Sequence, residues 1–189
     1  MSETIKKLGI PTLTIATALM LMAPAMLSTG AFAQVVVTPT DTTRSGGLHF
    51  VGEPTLTVDK TDEGATLTAE GEVAGAGQGA GTATIEADVT ATVGCITPSG
   101  SNEPQGLEEA SAAVTATAPF EPTRQGRGEF TVTTEPLTIE DFLVDGETFE
   151  CPSANMEETI VGNIMFSNIV LTINAQTGTI TATFPDVDP

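Results

Sequence analysis

The segment Ala83-Thr84-Ile85-Glu86-Ala87-Asp88-Val89-Thr90-Ala91-Thr92-Val93-Gly94-Cys95 decides how the rest of the chain is read. Ala83, Ile85, Ala87, Val89, Ala91, Val93 and Cys95 are seven consecutive small or apolar positions at a period of two, separated mainly by Thr and acids. Successive side chains of an extended strand point to opposite faces, so this pattern is a half-buried strand, not a helix.

Working outward, the same period returns in Thr55-Leu56-Thr57-Val58-Asp59, at Ala65, Leu67, Ala69 and Val73, and at Ala112, Val114, Ala116 and Ala118. It returns again at Phe130 and Val132, at Ile164 and Phe166, and at Ile180, Ala182 and Phe184. Turn residues separate the runs: Asp62-Glu63-Gly64, Pro98-Ser99-Gly100, Gln125-Gly126-Arg127-Gly128, Asp145-Gly146 and Gln176-Thr177-Gly178. Asn168 to Phe184 reads as a hairpin about Asn174–Gly178. No helical spacing of apolar residues persists over three turns; the only stretches open to short helical pieces are 106–113 and 137–144. About seven strands with short connections are expected to form an all-β, antiparallel two-sheet sandwich, immunoglobulin-like in architecture. The Trp that packs on the bridge of an immunoglobulin domain is absent, as is all Tyr, so the likeness is one of architecture.

The first thirty-three residues have a different logic. Lys6 and Lys7 precede an apolar run from Leu8 to Leu27, and Ala31-Phe32-Ala33 follows. This is the charged, apolar and small-residue order of a secretory signal, with cleavage expected after Ala33. An uncleaved membrane anchor is the rival, because about 20 apolar residues span a bilayer. Pro11, Pro24 and the Ala-x-Ala site favour cleavage. Residues 34–47, Thr-rich and ending in Gly46-Gly47, read as a leader, a linker or a first edge strand, and 48–189 as one sandwich domain. The expected location is secreted or at the cell surface, with no membrane contact after cleavage.

That location bears on the two cysteines, Cys95 and Cys151. An even count outside the cytosol predicts a disulfide. A metal site would need more ligands than two Cys and one His supply, and a redox pair would want Cys-x-x-Cys spacing. It bears on charge as well, since removing Glu3, Lys6 and Lys7 leaves 25 − 1 = 24 acids against 6 − 2 = 4 bases. A balance of −20 repels phosphates and anionic headgroups, which excludes nucleic acid and electrostatic docking on membranes. Solvation accounts for such an excess; cation binding is the sharper alternative.

Gly52-Glu53-Pro54-Thr55-Leu56-Thr57-Val58, Gly71-Glu72-Val73-Ala74-Gly75 and Cys95-Ile96-Thr97-Pro98 carry a resemblance over roughly 52–98, with a looser second Cys-Pro at Cys151-Pro152. The chain resembles small secreted β-sandwich proteins of bacteria and archaea, functionally uncharacterised. The resemblance implies the fold and the export, and no activity.

Candidate chemistry is sparse. Gly75-Ala76-Gly77-Gln78-Gly79-Ala80-Gly81 has the glycines of a phosphate cradle but precedes a strand and lacks a base, so a flexible loop is expected. Asp59, Asp62, Glu63 and Glu70 occupy positions of a calcium-loop template, yet strand patterns flank them where helices are required, so a hairpin turn competes with calcium there. Glu108-Glu109, Glu140-Asp141 and Glu157-Glu158 are carboxylate neighbours whose side chains diverge in a strand, which argues against glycoside hydrolysis. His49 is the only histidine and is expected as an outward ring. Arg124 and Arg127 are expected to offset nearby acids at a turn.

The expectation is therefore a non-enzymatic exported module with a structural or interaction role at the envelope or outside the cell. Its partner would be an unknown protein or envelope component, met through sheet edges or Thr-rich faces. The alternative is a divalent-cation protein holding calcium through surface carboxylates; no other cofactor is implied.

Overall fold

Alternation of this kind gives strands that are apolar on one side only, and two sheets facing each other are what buries those sides. A computed structural model has that arrangement; it describes residues 34–61, 64–98, 104–142 and 151–188. Ten strands run in the order β1 (Gln34–Val37), β2 (Asp41–Arg44), β3 (His49–Phe50), β4 (Thr55–Thr61), β5 (Gly64–Ala74), β6 (Gly81–Ile96), β7 (Gln105–Phe120), β8 (Gly128–Thr133), β9 (Glu157–Ala175) and β10 (Gly178–Thr183). A single 3₁₀ turn, Ile139–Phe142, is the only helical element among the described residues. Of the two stretches open to helix, 106–113 is therefore extended within β7, and 137–144 holds the 3₁₀ turn.

All pairings between strands are antiparallel. The larger sheet has the order β2-β10-β9-β6-β7. In the other, Val73 of β5 faces Phe50 of β3 and Gly128 of β8, so those strands take opposite edges of β5. Glu70 likewise faces Thr55 of β4 and Thr131 of β8. β3 and β4 thus share one edge of β5, interrupted at Val51–Pro54, and β1 lies outside β4. Residues 34–47 supply β1 and β2, one at an edge of each sheet, so this stretch forms two edge strands of the sandwich. The count rises from about seven to ten because these two and the two-residue β3 are too short to show a period.

The seven inward positions of β6 are all 4% exposed or less. Opposite them lie Leu56, Val58, Leu67, Ala69, Phe130 and Val132, and beside them Ile164, Phe166, Ile169, Leu171 and Ile173 of β9. Inward positions on β9 change from even to odd numbers between Phe166 and Ile169. The register shows why: Asp88 faces Ser167 whereas Glu86 faces Val170, so β9 carries one extra residue there. Asn168 takes that place with φ 50°, a left-handed conformation Asn tolerates better than most residues, and its Nδ2 donates to Asp88 Oδ2 at 2.8 Å. Beyond β10 the chain rejoins β9, with Val187 and Phe166 exchanging two backbone bonds of 2.9 Å.

Where the chain passes from β7 in one sheet to β8 in the other, Phe120 packs on the backbones of Gly81 and Gly128; a Cβ on either would lie 2.3 or 2.7 Å from its ring. Phe120 is tilted against Phe130 at 6.5 Å between ring centroids, and Phe130 against Phe50 at 6.2 Å. Cys95, at the end of β6, is bonded to Cys151 with a Cα–Cα distance of 5.7 Å, closing a separation of 56 residues.

Two outcomes check this architecture. Replacing both Cys95 and Cys151 with Ala is expected to lower unfolding stability by about 4 kcal/mol in chemical denaturation. Asn168→Val, which forces a β-branched side chain to positive φ and removes the bond to Asp88, is expected to cost about 2 kcal/mol, whereas Asn168→Gly costs about half that or less.

Candidate functional site

Three surfaces hold what chemistry the described residues offer. The first is a cleft of about 500 Å³ at the edge where β2 approaches β3, with Asp41, Arg44, His49 and Glu53 on its walls and Phe50 and Ile180 among its apolar lining. His49 is exposed, and its Nδ1 lies 3.1 Å from the Gly47 carbonyl oxygen. A carbonyl only accepts, so that contact places a proton on Nδ1. Among the described residues no hydroxyl or carboxylate hydrogen-bonds this ring. The relay geometry of a nucleophile and its base is thus not assembled at His49.

The second is a groove of about 660 Å³ between Ala113–Thr117 of β7 and the segment 133–141. Glu135, Glu140 and Asp141 line it with a run of threonines. Asp141 is engaged locally, since its Oδ2 accepts from the backbone N–H of Thr138 at 2.6 Å and from the Thr138 hydroxyl at 3.0 Å. Of the adjacent carboxylate pairs, Glu140-Asp141 belongs to this 3₁₀ turn, while Glu108-Glu109 and Glu157-Glu158 are on strands.

The third surface is not concave. Register places Thr43, Thr181, Thr172, Thr84 and Thr117 in one row across all five strands of the larger sheet. On β10, β9, β6 and β7 each is an outward position between more buried neighbours, and at a strand spacing of about 4.8 Å the row spans roughly 19 Å. The Thr84 and Thr117 hydroxyls are 2.9 Å apart, and those of Thr43 and Thr181 are also bonded. The next row, Ser45, Thr179, Asn174, Thr82 and Pro119, is uncharged too. On the other side the row Asp41, Thr183, Val170, Glu86 and Thr115 begins the acidic part of the face. No local motif signals such a patch, because its members come from five strands up to 138 residues apart.

Two members of the calcium template, Asp59 and Glu70, lie on described strands. Asp59 of β4 faces Thr66, four residues before Glu70 on β5, so the two carboxylates are about 13 Å apart along the ladder. Asp59 instead accepts from Gln34 Nε2 at 2.9 Å. Asp62 and Glu63 lie outside the described residues, as do Ala33 and the whole signal segment. Among the described residues no group of three or more His, Cys, Asp or Glu side chains converges on a metal position. The glycine-rich stretch Gly75–Gly81 begins the connection from β5 and ends on the first residue of β6, with the Gly126 carbonyl accepting from Ala76 N–H at 2.9 Å.

Arg127 does meet an acid. Its Nε and Nη2 donate to Glu72 Oε1 and Oε2 at 2.6 and 2.9 Å. Glu129 is the cross-strand neighbour of Glu72 on the same outer face, so the guanidinium offsets a like-charge pair. These hydrogen bonds hold the Glu72 carboxyl below the usual carboxylate range, against an opposing effect of desolvation, and the attraction of the guanidinium charge adds to them.

These observations define the class: an all-β, two-sheet sandwich with one disulfide, whose described residues include no helix long and apolar enough to cross a membrane. No known family model, curated protein or solved structure matches the chain.

The Glu72 pair gives a signed expectation. A carboxyl with a depressed folded pKa stabilises the fold above its unfolded pKa and loses that contribution as pH falls through the folded pKa. In Arg127→Met, NMR titration should find the Glu72 carboxyl at or above the ordinary range, because Glu129 is then its nearest facing charge. Unchanged titration would show that the guanidinium does not hold it.

Proposed function

We propose that this protein is an exported, non-catalytic β-sandwich module that acts by surface contact, at the cell envelope or outside the cell. The observation that carries the reading is the double row of uncharged side chains from Ser45 and Thr43 to Pro119 and Thr117, on a chain whose portion after Ala33 has a formal charge of −20. Threonine presents a methyl and a hydroxyl on a short, stiff side chain, so an array of them loses little rotamer entropy when covered. A surface otherwise rich in carboxylates stays solvated, and leaves this patch as the place where another surface approaches without desolvating charge. The disulfide and the signal-like order of residues 1–33 support the exported location.

Export is tested by sequencing the amino terminus of protein recovered from the medium or cell surface. A start at Gln34 is expected, and recovery from the cytoplasm with Met1 retained would refute it. Contact is tested by co-sedimentation with envelope fragments of the producing cells. The unaltered protein should sediment, the Thr84→Glu and Thr172→Glu double variant should remain in solution, and His49→Ala should behave as the unaltered protein. Sedimentation unaffected by the two glutamates, or none at all, would overturn the reading.

A further inference from the structure

β7 is an edge strand of sixteen residues, bonded to β6 on one side and bearing no strand on the other among the described residues. The direction of its free backbone groups follows from Pro119. Proline has no N–H to give to a ladder, so the Pro119–Thr82 pair is a non-hydrogen-bonded one. Backbone direction alternates along a strand, so Thr117, Thr115, Ala113 and Ser111 also turn their N–H and C=O groups away from β6. The 2.9 Å approach of the Thr117 and Thr84 hydroxyls agrees, because side chains of non-hydrogen-bonded pairs are the closer ones. Among the described residues no backbone hydrogen bond reaches this outer edge.

Two further features mark the edge as unfinished. The inward side chains of β7, Ala112, Val114, Ala116 and Ala118, are only half-buried, whereas their partners on β6, Val89, Ala87, Ile85 and Ala83, are 0–4% exposed. β8 is too short to cover them, and the groove beside Ala113–Thr117 is the result. The nine residues Ala110–Ala118 also carry no charge, no proline and none of the lysines that protect natural edges; Glu109 and Pro119 bracket them.

We propose that β7 pairs antiparallel with β7 of a second copy, joining the larger sheets of two molecules across a two-fold axis at Val114. The uncharged span selects both the occupant and the register, because Val114 is the midpoint of Ala110–Ala118. With Val114 facing itself, Ala113 faces Thr115 and Ser111 faces Thr117 of the other copy. Glu109 then faces Pro119, and Glu121 faces Leu107. Four facing pairs of two bonds each give about eight new backbone hydrogen bonds. The neighbouring register, with Thr115 on itself, would set Glu109 against Glu121 on one face. A strand carrying lysine or arginine would be a different occupant, and the uncharged centre of β7 offers it no carboxylate. A second β7 matches that centre residue for residue, and its inward Ala and Val side chains lie over the groove. The pairing does not depend on what the threonine rows contact.

The test is sedimentation equilibrium of the purified protein with two variants. Thr115→Pro removes only an outward N–H and is expected to raise the dimer dissociation constant at least about tenfold while leaving the melting temperature of the monomer near its original value. Val114→Cys brings two thiols to the axis at a Cα separation of about 4.5 Å, within disulfide range, and should cross-link under mild oxidation, whereas Thr117→Cys, facing Ser111, should not. A protein monomeric at millimolar concentration, a dimer indifferent to Thr115→Pro, or cross-linking at Thr117 but not at Val114 would each overturn the proposal. If the proline variant fails to fold, the two cysteine variants decide alone.

Discussion

Strand β6 is the member on which the other strands depend, because it is paired along both edges, with β7 from Gly81 to Cys95 and with β9 from Thr82 to Ile96. A central strand has no edge to give to solvent, so every backbone group must find its partner in the ladder. Its inward face alternates Ala with Ile and Val as far as Cys95. The alanines let the opposing sheet approach, and Leu56, Leu67 and Phe130 come from that sheet to meet the larger side chains. The disulfide fixes the far end of β6 to the chain just before β9, so one of the strand's two ladders and its end lead to the same neighbour.

The two edges of the sandwich are places where the chain changes sheets. β1 and β2 are consecutive yet lie in different sheets, and so are β7 and β8. A sheet change brings the two layers together at an edge and leaves less of it open. Phe120 shows what this requires in sequence: its ring fills the turn only because positions 81 and 128 have no Cβ. The covering is uneven, since β8 has six residues against sixteen in β7. The half-buried alanines of β7 follow from that difference in length.

Legibility in the sequence followed the range of the interaction. The inward face of β6, the hairpin over 168–184 and the Cys95–Cys151 bridge were readable because alternation, a short connection of turn residues and an even cysteine count are local or arithmetical signals. The short β1, β2 and β3 were not, since two to four residues hold no period. The extra residue at Asn168 was invisible for another reason: Ile164-Met165-Phe166 and Ile169-Val170-Leu171 are unbroken apolar runs, and only the register with β6 decides which residues of each face inward. The calcium template shows the same distinction: its spacing counts residues around a loop between helices, whereas Asp59 and Glu70 lie on the paired strands β4 and β5, with Asp59 opposite Thr66.

The threonine rows and the free edge of β7 meet at Thr117, which belongs to both. One side chain faces solvent beside Thr84 while its backbone groups turn outward along the sheet, so a strand added at the edge with Ser111 opposite Thr117 would lengthen that uncharged row as well as the ladder. Carboxylates make the opposite contribution. Glu86 and Asp88 on β6, with Glu108 and Glu109 on β7, place negative charge toward the Cys95 end of the same sheet. Repulsion between like surfaces is weakest where neither carries charge, and a Debye length of about 8 Å at physiological salt keeps the carboxylates from reaching across the whole row. The carboxylates therefore leave the two threonine rows as the uncharged part of this face, whereas evenly mixed charges would mark no such region.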